Sequence, residues 1–290
     1  MNLKKYSPGV LIGNWFETAR AKELKVNDMQ KQRGHKKLLL DETRSLYDRF
    51  RLRTILGPPQ EYVVFGGVMQ LIPVRINLTD THMSDIKLAL SLVINQQMLH
   101  KHSQTINELC ELSLAPAPNP CLRNSFRIVS PANGLERPTG NYVTYGEKFR
   151  LQCMEPIDDP MYLYSAQKLC NLTPAVNRCY STSKNGEESL PLGIIAGKNC
   201  GVNALVPGAN ANFFCIHYDL TRRIESEGLP IPIDTPLVIV HAVTNRNLAS
   251  ENVVLNTLFG PELMVSVQNY RNIFKRETWK NHWQFTYMAN

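Results

Sequence analysis

The sequence lacks the features that identify several large classes of protein. No apolar run approaches the roughly 18 residues that a transmembrane helix needs, and the chain opens without the apolar stretch of a secretory signal peptide. Its seven cysteines are odd in number and scattered, which is typical of reduced thiols rather than of a disulfide framework. We therefore expect a protein of the cytoplasm or cytoskeleton that does not use a membrane as a partner.

Motifs for catalysis and cofactor binding are also missing from the sequence. The phosphate-binding patterns G-x-x-x-x-G-K-[ST] and G-x-G-x-x-G do not occur, and neither does the nucleophile motif G-x-S-x-G. The ligand pairs His100 with His102 and Cys215 with His217 have no second pair at zinc-finger spacing. Residues 155–159 hold three carboxylates but lack the ligand pattern of an EF-hand. The sequence thus predicts no cofactor, no metal and no enzymatic activity.

What the sequence does have is a concentration of positive charge at one end. Residues 1–53 hold 13 Lys and Arg against 6 Asp and Glu, and residues 54–290 hold the other 19 basic and 19 acidic residues, so the net charge of +7 belongs to the N-terminal segment. Such an arm favours an acidic surface: nucleic acid, anionic lipid or an acidic protein lattice such as tubulin. It lacks the Arg-Gly or aromatic interleaving of single-strand binders, which disfavours nucleic acid. A merely solvated helix is the alternative interpretation.

Helical composition dominates this basic segment. The abundance of Ala, Lys, Glu, Leu and Gln predicts a helix over residues 17–40, with Gly34 as a break or hinge, and a second helix over residues 41–52. In the second helix Leu46 and Phe50 recur at helical spacing and, together with Tyr47, form a predicted apolar face.

Turn-forming residues then divide the chain. Gly and Pro at positions 57–59 end the helices, which predicts a basic N-terminal arm over residues 1–56 and a β-rich body over residues 57–290. Within the body only residues 96–112 are typical of a helix, and a Pro-rich linker follows at 115–120. Short runs with the two-residue period of strands occupy residues 62–65, 86–94, 126–129, 149–151, 213–216 and 237–240.

An internal repeat organises these runs. Phe65-Gly66 and Tyr145-Gly146 lie 80 residues apart, and each pair is followed by apolar residues three and five positions after its glycine. A weaker third copy lies at 233–234, where the aromatic-Gly pair is Ile-Asp. The pattern favours three hairpins that close one barrel. We predict a mainly β fold, a MIR-like β-trefoil or related β-barrel with insertions, although a generic barrel or sandwich stays open.

Four segments of the sequence occur in the order and at the spacing found in one protein family. They are the glycine-rich, aromatic-ended residues 6–15, together with residues 227–232, 241–249 and 281–283. Together these segments resemble the cilia- and flagella-associated protein 161 family. The chain departs from that family at Gly67, where an acidic residue is expected, and in ending soon after residue 283, where relatives can carry a longer polar tail.

The resemblance implies a nonenzymatic microtubule inner protein. Such a protein lies in the lumen of the A-tubule of axonemal doublets, binds α/β-tubulin and neighbouring inner proteins, stabilises the lattice and supports the beating of motile cilia. The candidate contact residues are Lys4, Lys5, Tyr6, Gly9, Gly13, Asn14, Trp15, Arg33, Lys36, Lys37, Asn281, His282 and Trp283.

Other interpretations of the same residues remain. The two tryptophans among the candidates, Trp15 and Trp283, could instead be buried core aromatics. A MIR-like β-trefoil that binds a carbohydrate or another small ligand is the alternative function, and an RNA-binding arm on a β scaffold is a third.

Overall fold

Two long helices precede a β body in the chain. A computed structural model describes residues 14–35, 38–75, 87–94, 106, 110–116, 119–131, 140–155, 160–165, 189–196 and 208–287. The helices are α1 (Asn14–Gly34), α2 (Leu39–Phe50) and the short α3 (Arg223–Ser226). The strands are β1 (Val68–Pro73), β2 (Leu88–Val93), β3 (Glu111–Pro116), β4 (Phe126–Val129), β5 (Lys148–Cys153), β6 (Met161–Ser165), β7 (Leu190–Ala196), β8 (Phe213–His217), β9 (Leu237–His241), β10 (Arg246–Thr257), β11 (Gly260–Val267) and β12 (Trp283–Thr286).

The two predicted N-terminal helices are present, and each has an acidic residue in its first turn and a basic residue in its last turn. Glu17 lies in the first turn of α1 and Arg33 in its last turn, while Asp41 lies in the first turn of α2 and Arg49 in its last turn. Acidic residues at a helix N-terminus and basic residues at its C-terminus interact favourably with the helix dipole. Both helices therefore have local reasons to form, but only their apolar residues decide whether they pack on the body.

The strands are antiparallel and close into a barrel. Ten of the described strands form a ring in the order β10-β11-β3-β7-β6-β5-β4-β1-β12-β9, and β9 returns to β10. Strand β2 pairs with β3 outside the ring, and β8 pairs with β9 and β5. The predicted strands at 126–129, 149–151, 213–216 and 237–240 all lie within these elements.

Three backbone segments meet at the centre of the body and repeat one hydrogen-bond pattern. The amide of Val63 donates to the carbonyl of Ile231 at 2.8 Å, Ile231 donates to Val143 at 3.0 Å, and Val143 donates back to Val63 at 2.8 Å. All three side chains are completely buried. These three equivalent bonds in a closed ring relate the segments by an approximate threefold axis, which is the symmetry of the predicted β-trefoil.

The repeat detected in the sequence forms the turns that follow this ring. Gly66 and Gly146 have φ of 84° and 83°, and Asp234, in the third copy, has φ of 55°. The three amides donate in the same way to carbonyls of β4, β8 and β12, respectively. Asp adopts the left-handed conformation more readily than most side chains, which explains how the third copy keeps the turn after losing its glycine.

The structure corrects the prediction of an inserted helix at its C-terminal end. Residues 111 and 112 belong to β3, as do residues 115 and 116 of the predicted linker, and six residues of β3 pair with β2. Leu112 and Leu114 are buried there, so long-range pairing and burial override the local helical composition. The rest of the predicted helix lies outside the described residues, apart from residues 106 and 110. Residues 62–65, predicted as a strand, make only isolated bridges through Tyr62 and Val64.

Helix α2 packs into the body core although the sequence groups it with the arm. Leu46 and Phe50 are 1% and 0% exposed and belong to the same hydrophobic cluster as the barrel side chains. In the last turn of α2, Arg49 Nε lies 2.8 Å from a carboxylate oxygen of Glu155 in the body. The division of the chain at residue 57 stays a prediction, whereas the contacts of α2 are those of a body element.

Candidate partner-binding surfaces

Helix α1 presents apolar and basic side chains to solvent along its whole length. None of residues 15–35 is buried, and Trp15, Leu24 and Met29 are 75%, 53% and 60% exposed. Exposed basic residues accompany them: Arg20, Lys22, Lys25, Lys31 and Arg33. Most helices in proteins are stabilised by packing an apolar face, so a long helix without one is a candidate for packing against a partner.

The sequence-predicted contact residues fall into three groups. Trp15 and Arg33 are exposed on α1, and Asn14 is the first residue of that helix. Their contact with a partner stays a prediction. The others from the N-terminal segment lie outside the described residues: Lys4, Lys5, Tyr6, Gly9, Gly13, Lys36 and Lys37.

The C-terminal candidates Asn281 and Trp283 are instead internal, which corrects their assignment as surface contacts. Both side chains are completely buried. Trp283 Nε1 donates to the carbonyl of Leu248 at 2.9 Å, and Asn281 Nδ2 donates to the same carbonyl at 3.0 Å and to that of Gln268 at 2.9 Å. These bonds fasten the C-terminal segment to β10 and the end of β11. The alternative interpretation of Trp283 as a core aromatic is the one that holds.

His282 lies between these two residues and is half-buried. Its ring meets the Tyr218 ring edge-on at 5.9 Å. Burial lowers the pKa of His282, and the nearby Glu277 carboxylate only partly opposes that effect. The imidazole is therefore neutral at neutral pH and supplies no positive charge to an acidic partner.

A surface that the sequence prediction missed lies between β11 and β12. Residues 271–277 form a tight loop, which we call the tip, and at its end Ile273 and Phe274 are 90% and 73% exposed. Arg271, Lys275 and Arg276 surround them and are exposed as well. Two large apolar side chains held in water beside three cations are typical of a protein-binding surface.

Hydrogen bonds of Asn272 hold the backbone of the tip. The Asn272 side-chain oxygen accepts from the amides of Phe274 at 2.9 Å and Arg276 at 3.0 Å, and the Asn272 amide donates to the carbonyl of Arg276 at 2.8 Å. Lys275 takes the left-handed conformation that the turn needs, with φ of 59°. The exposed Ile273 and Phe274 are thus presented on an ordered turn.

The acidic residue of the tip points inward and is neutralised. Glu277 is buried, and its carboxylate accepts from Arg223 of α3 at 2.7 Å. Burial alone would raise the pKa of Glu277, but the hydrogen bond and charge of Arg223 outweigh it and the pKa is lowered. The ion pair anchors the tip to α3 and leaves the outward side of the tip with positive charge alone. The sequence does contain a signal for this surface: the turn-forming Asn272 is followed by the apolar pair Ile273 and Phe274, and cationic residues stand on both sides of these three residues.

Across the described ranges, no group of three or more His, Cys, Asp or Glu side chains is arranged to hold a metal ion. None of the described helices is long and apolar enough to span a bilayer.

Comparison with known proteins identifies one family. The model of the cilia- and flagella-associated protein 161-like domain matches residues 42–288. Cilia- and flagella-associated protein 161 of Bos taurus is 29% identical over 284 residues, covering 96% of this chain and 81% of the relative. The Danio rerio protein of that name is 24% identical, covering 98% and 89%, and the Mus musculus protein is 27% identical, covering 96% and 86%.

Solved structures resemble the chain more loosely. A Caenorhabditis elegans protein of unknown function superposes with a TM-score of 0.49 and 12% identity, covering 79% of this chain and 98% of its own. The SDF2-like protein of Arabidopsis thaliana superposes with a TM-score of 0.46 and 15% identity, covering 78% and 94%. At this level of overlap neither structure bears on function.

Proposed function

The chain belongs to the cilia- and flagella-associated protein 161 family, and from this premise we propose that it is a structural microtubule inner protein. Membership gives it a role and a location associated with cilia and flagella. In the proposal it binds α/β-tubulin in the lumen of the A-tubule of axonemal doublets, beside other inner proteins. There it stabilises the lattice and supports ciliary beating without catalysing a reaction.

The observation that carries the tubulin proposal is the pairing of exposed apolar side chains with cations. It occurs on α1, around Trp15 and Met29, and again on the tip, around Ile273 and Phe274. Tubulin is acidic, so the cations supply charge complementarity and steering, while the apolar groups supply the area that is removed from water on binding. The bonded backbone of the tip supports the proposal because a preorganised loop loses little entropy when it binds.

Localisation tests the cellular part of the proposal. A tagged copy expressed in a ciliated cell is expected in the axoneme and is expected to remain there after mild salt extraction, since a luminal protein is enclosed by the tubule wall. Averaged tomograms of doublets with and without the protein should differ inside the A-tubule. Release by mild salt, or a density difference confined to the outside of the doublet, would contradict a luminal site.

Binding measurements test the tip. Replacing both apolar residues, Ile273→Ala with Phe274→Ala, should weaken binding to purified tubulin at least tenfold, because apolar anchors dominate such interfaces. The matched control is Leu229→Ala with Val243→Ala, which removes side chains that are 54% and 53% exposed elsewhere on the body. Equal affinities for the tip variant and the control would remove the tip from the proposed interface.

A further inference from the structure

A groove of about 450 Å³ lies between the end of α2 and the barrel. Tyr47 of α2 and Phe259 of the β10–β11 turn stack in its wall, with ring centroids 4.9 Å apart and ring planes inclined by 21°. The volume lies within the range of about 300–1,000 Å³ that is usual for ligand sites. It suits a small ligand or a few residues of an extended peptide.

Among the described residues that line this groove, one carries a carboxylate, and an arginine neutralises it. Glu262 is 3% exposed and accepts from Arg123 Nη2 at 2.6 Å and from the Ser113 hydroxyl. The Arg123 guanidinium, itself 5% exposed, also lies 3.8 Å from the centroid of the Phe259 ring. This buried pair orders the base of the groove and leaves no unpaired carboxylate among the described residues that line it.

Two further arginines at the groove carry positive charge that the described residues do not compensate. Arg51 Nη1 donates to the Tyr47 hydroxyl at 3.0 Å, and its guanidinium lies 5.2 Å from the Tyr47 ring centroid. Arg53 forms a backbone bridge with Cys121, and no ion pair joins its side chain to a carboxylate in the described part of the chain. Both side chains are exposed.

We propose that this groove, the arginine groove, binds an acidic peptide segment of a partner protein. Carboxylates of the peptide pair with Arg51 and Arg53, since the planar guanidinium matches a carboxylate with two parallel hydrogen bonds. An apolar side chain of the peptide packs against Tyr47 and Phe259. The aromatic wall favours a peptide over a free anion, because an anion alone leaves that wall in water. The inference concerns the purified chain and does not depend on tubulin.

Fluorescence anisotropy with defined peptides tests this inference. The labelled peptide Glu-Glu-Leu-Leu-Glu-Glu should bind the full chain saturably below about 1 mM. Gln-Gln-Leu-Leu-Gln-Gln should bind at least tenfold more weakly, and Glu-Glu-Gly-Gly-Glu-Glu several-fold more weakly. No saturable binding, or equal binding of the acidic and amide peptides, would overturn the proposal. Inorganic phosphate and the unlabelled peptide can each be added as competitors of the labelled peptide. If phosphate displaces the labelled peptide at the same concentration as the unlabelled peptide does, the groove is a simple anion site and the proposal is overturned.

Variants of the chain locate the site. Arg51→Gln with Arg53→Gln should weaken binding about tenfold, while the control Arg75→Gln with Arg127→Gln removes the same charge at exposed positions outside the groove and should change affinity less than twofold. Equal losses in the two pairs would mean attraction by net charge alone and would overturn the assignment. Reversal of both groove charges, Arg51→Glu with Arg53→Glu, should transfer preference to Lys-Lys-Leu-Leu-Lys-Lys. Failure of that transfer in a folded variant would count against the groove.

Discussion

The two long helices are consecutive in the sequence of the basic segment, yet α1 has no buried residue from 15 onward and α2 is part of the core. Across α1 no residue from 15 to 35 is buried, whereas α2 places Leu46 and Phe50 in the interior. Basic side chains occur in both helices and do not by themselves account for the difference in burial. The difference is in their apolar residues: in α2 they recur four positions apart and form one face, whereas Trp15, Leu24, Val26 and Met29 of α1 do not lie at that spacing.

This contrast predicts which residues act on the stability of the fold and which act on the binding of a partner. A side chain that is already buried in the folded chain contributes to the free energy of unfolding, and one that stays in water can contribute only when a partner covers it. We therefore expect changes in α2 and the trefoil turns to act on stability, and changes in α1 to act on binding.

The largest expected difference is between Phe50 and Trp15. Phe50→Ala should lower the free energy of unfolding by about 3–5 kcal/mol, because it leaves a cavity in the core. Trp15→Ala should change it by less than about 0.5 kcal/mol, since that side chain is 75% exposed. Urea titration followed by far-ultraviolet circular dichroism measures both. A comparable loss in the two variants would mean that α1 packs on the body.

Two glycines sharpen the contrast at the level of the backbone. Gly66→Ala should destabilise the chain by about 1–2 kcal/mol, because Gly66 has φ of 84° and alanine is strained there. Gly34→Ala, at the end of α1, meets no heavy atom within 4 Å of the added methyl group and should be neutral or stabilising by up to about 1 kcal/mol. Thermal or urea unfolding distinguishes them. An unaffected Gly66→Ala variant would show that the turn tolerates another conformation.

The smallest effect is expected from changes of charge at the end of α1 and in the residues that follow it. Reversing Arg33, Lys36 and Lys37 together should weaken tubulin binding roughly fivefold, or about 1 kcal/mol, because each exposed pair is worth only about 0–1 kcal/mol. The affinity of the variant should also fall less steeply with salt, since fewer favourable charges remain to be screened. Single substitutions at these positions should change little, and the unfolding midpoint should not move. Wild-type binding by the triple variant across a salt titration would show that this charge is merely solvated.

Much of the body could be anticipated from the sequence because its evidence is local. The left-handed turns at Gly66 and Gly146 and the alternation in strands such as β4 arise from interactions between near neighbours, and the predictions based on them are confirmed. Among the secondary-structure predictions, those that covered β3 failed, because its helical and Pro-rich composition is overridden by pairing with β2 and by burial of Leu112 and Leu114. Propensity is weak compared with tertiary packing.

The candidate surfaces were less predictable than the fold. Trp15 and Trp283 are the same residue type near the two ends, and nothing local to either one states that the first is exposed and the second completely buried. The tip and the arginine groove were both missed. The groove brings Tyr47 and Arg51 to Phe259 and Glu262, about two hundred positions further along the chain, so no spacing rule could have found it.

By itself the sequence determined the family, the β class, the threefold repeat and the basic character of the N-terminal segment, because these depend on composition, period and the order of short motifs. Only the tertiary structure decided which apolar side chains face water, which charges are paired and which distant residues share a groove. Burial and pairing depend on residues brought together from separate parts of the chain, as Arg123 is with Glu262 and Arg223 with Glu277. A surface for a partner is what remains after those internal contacts are made.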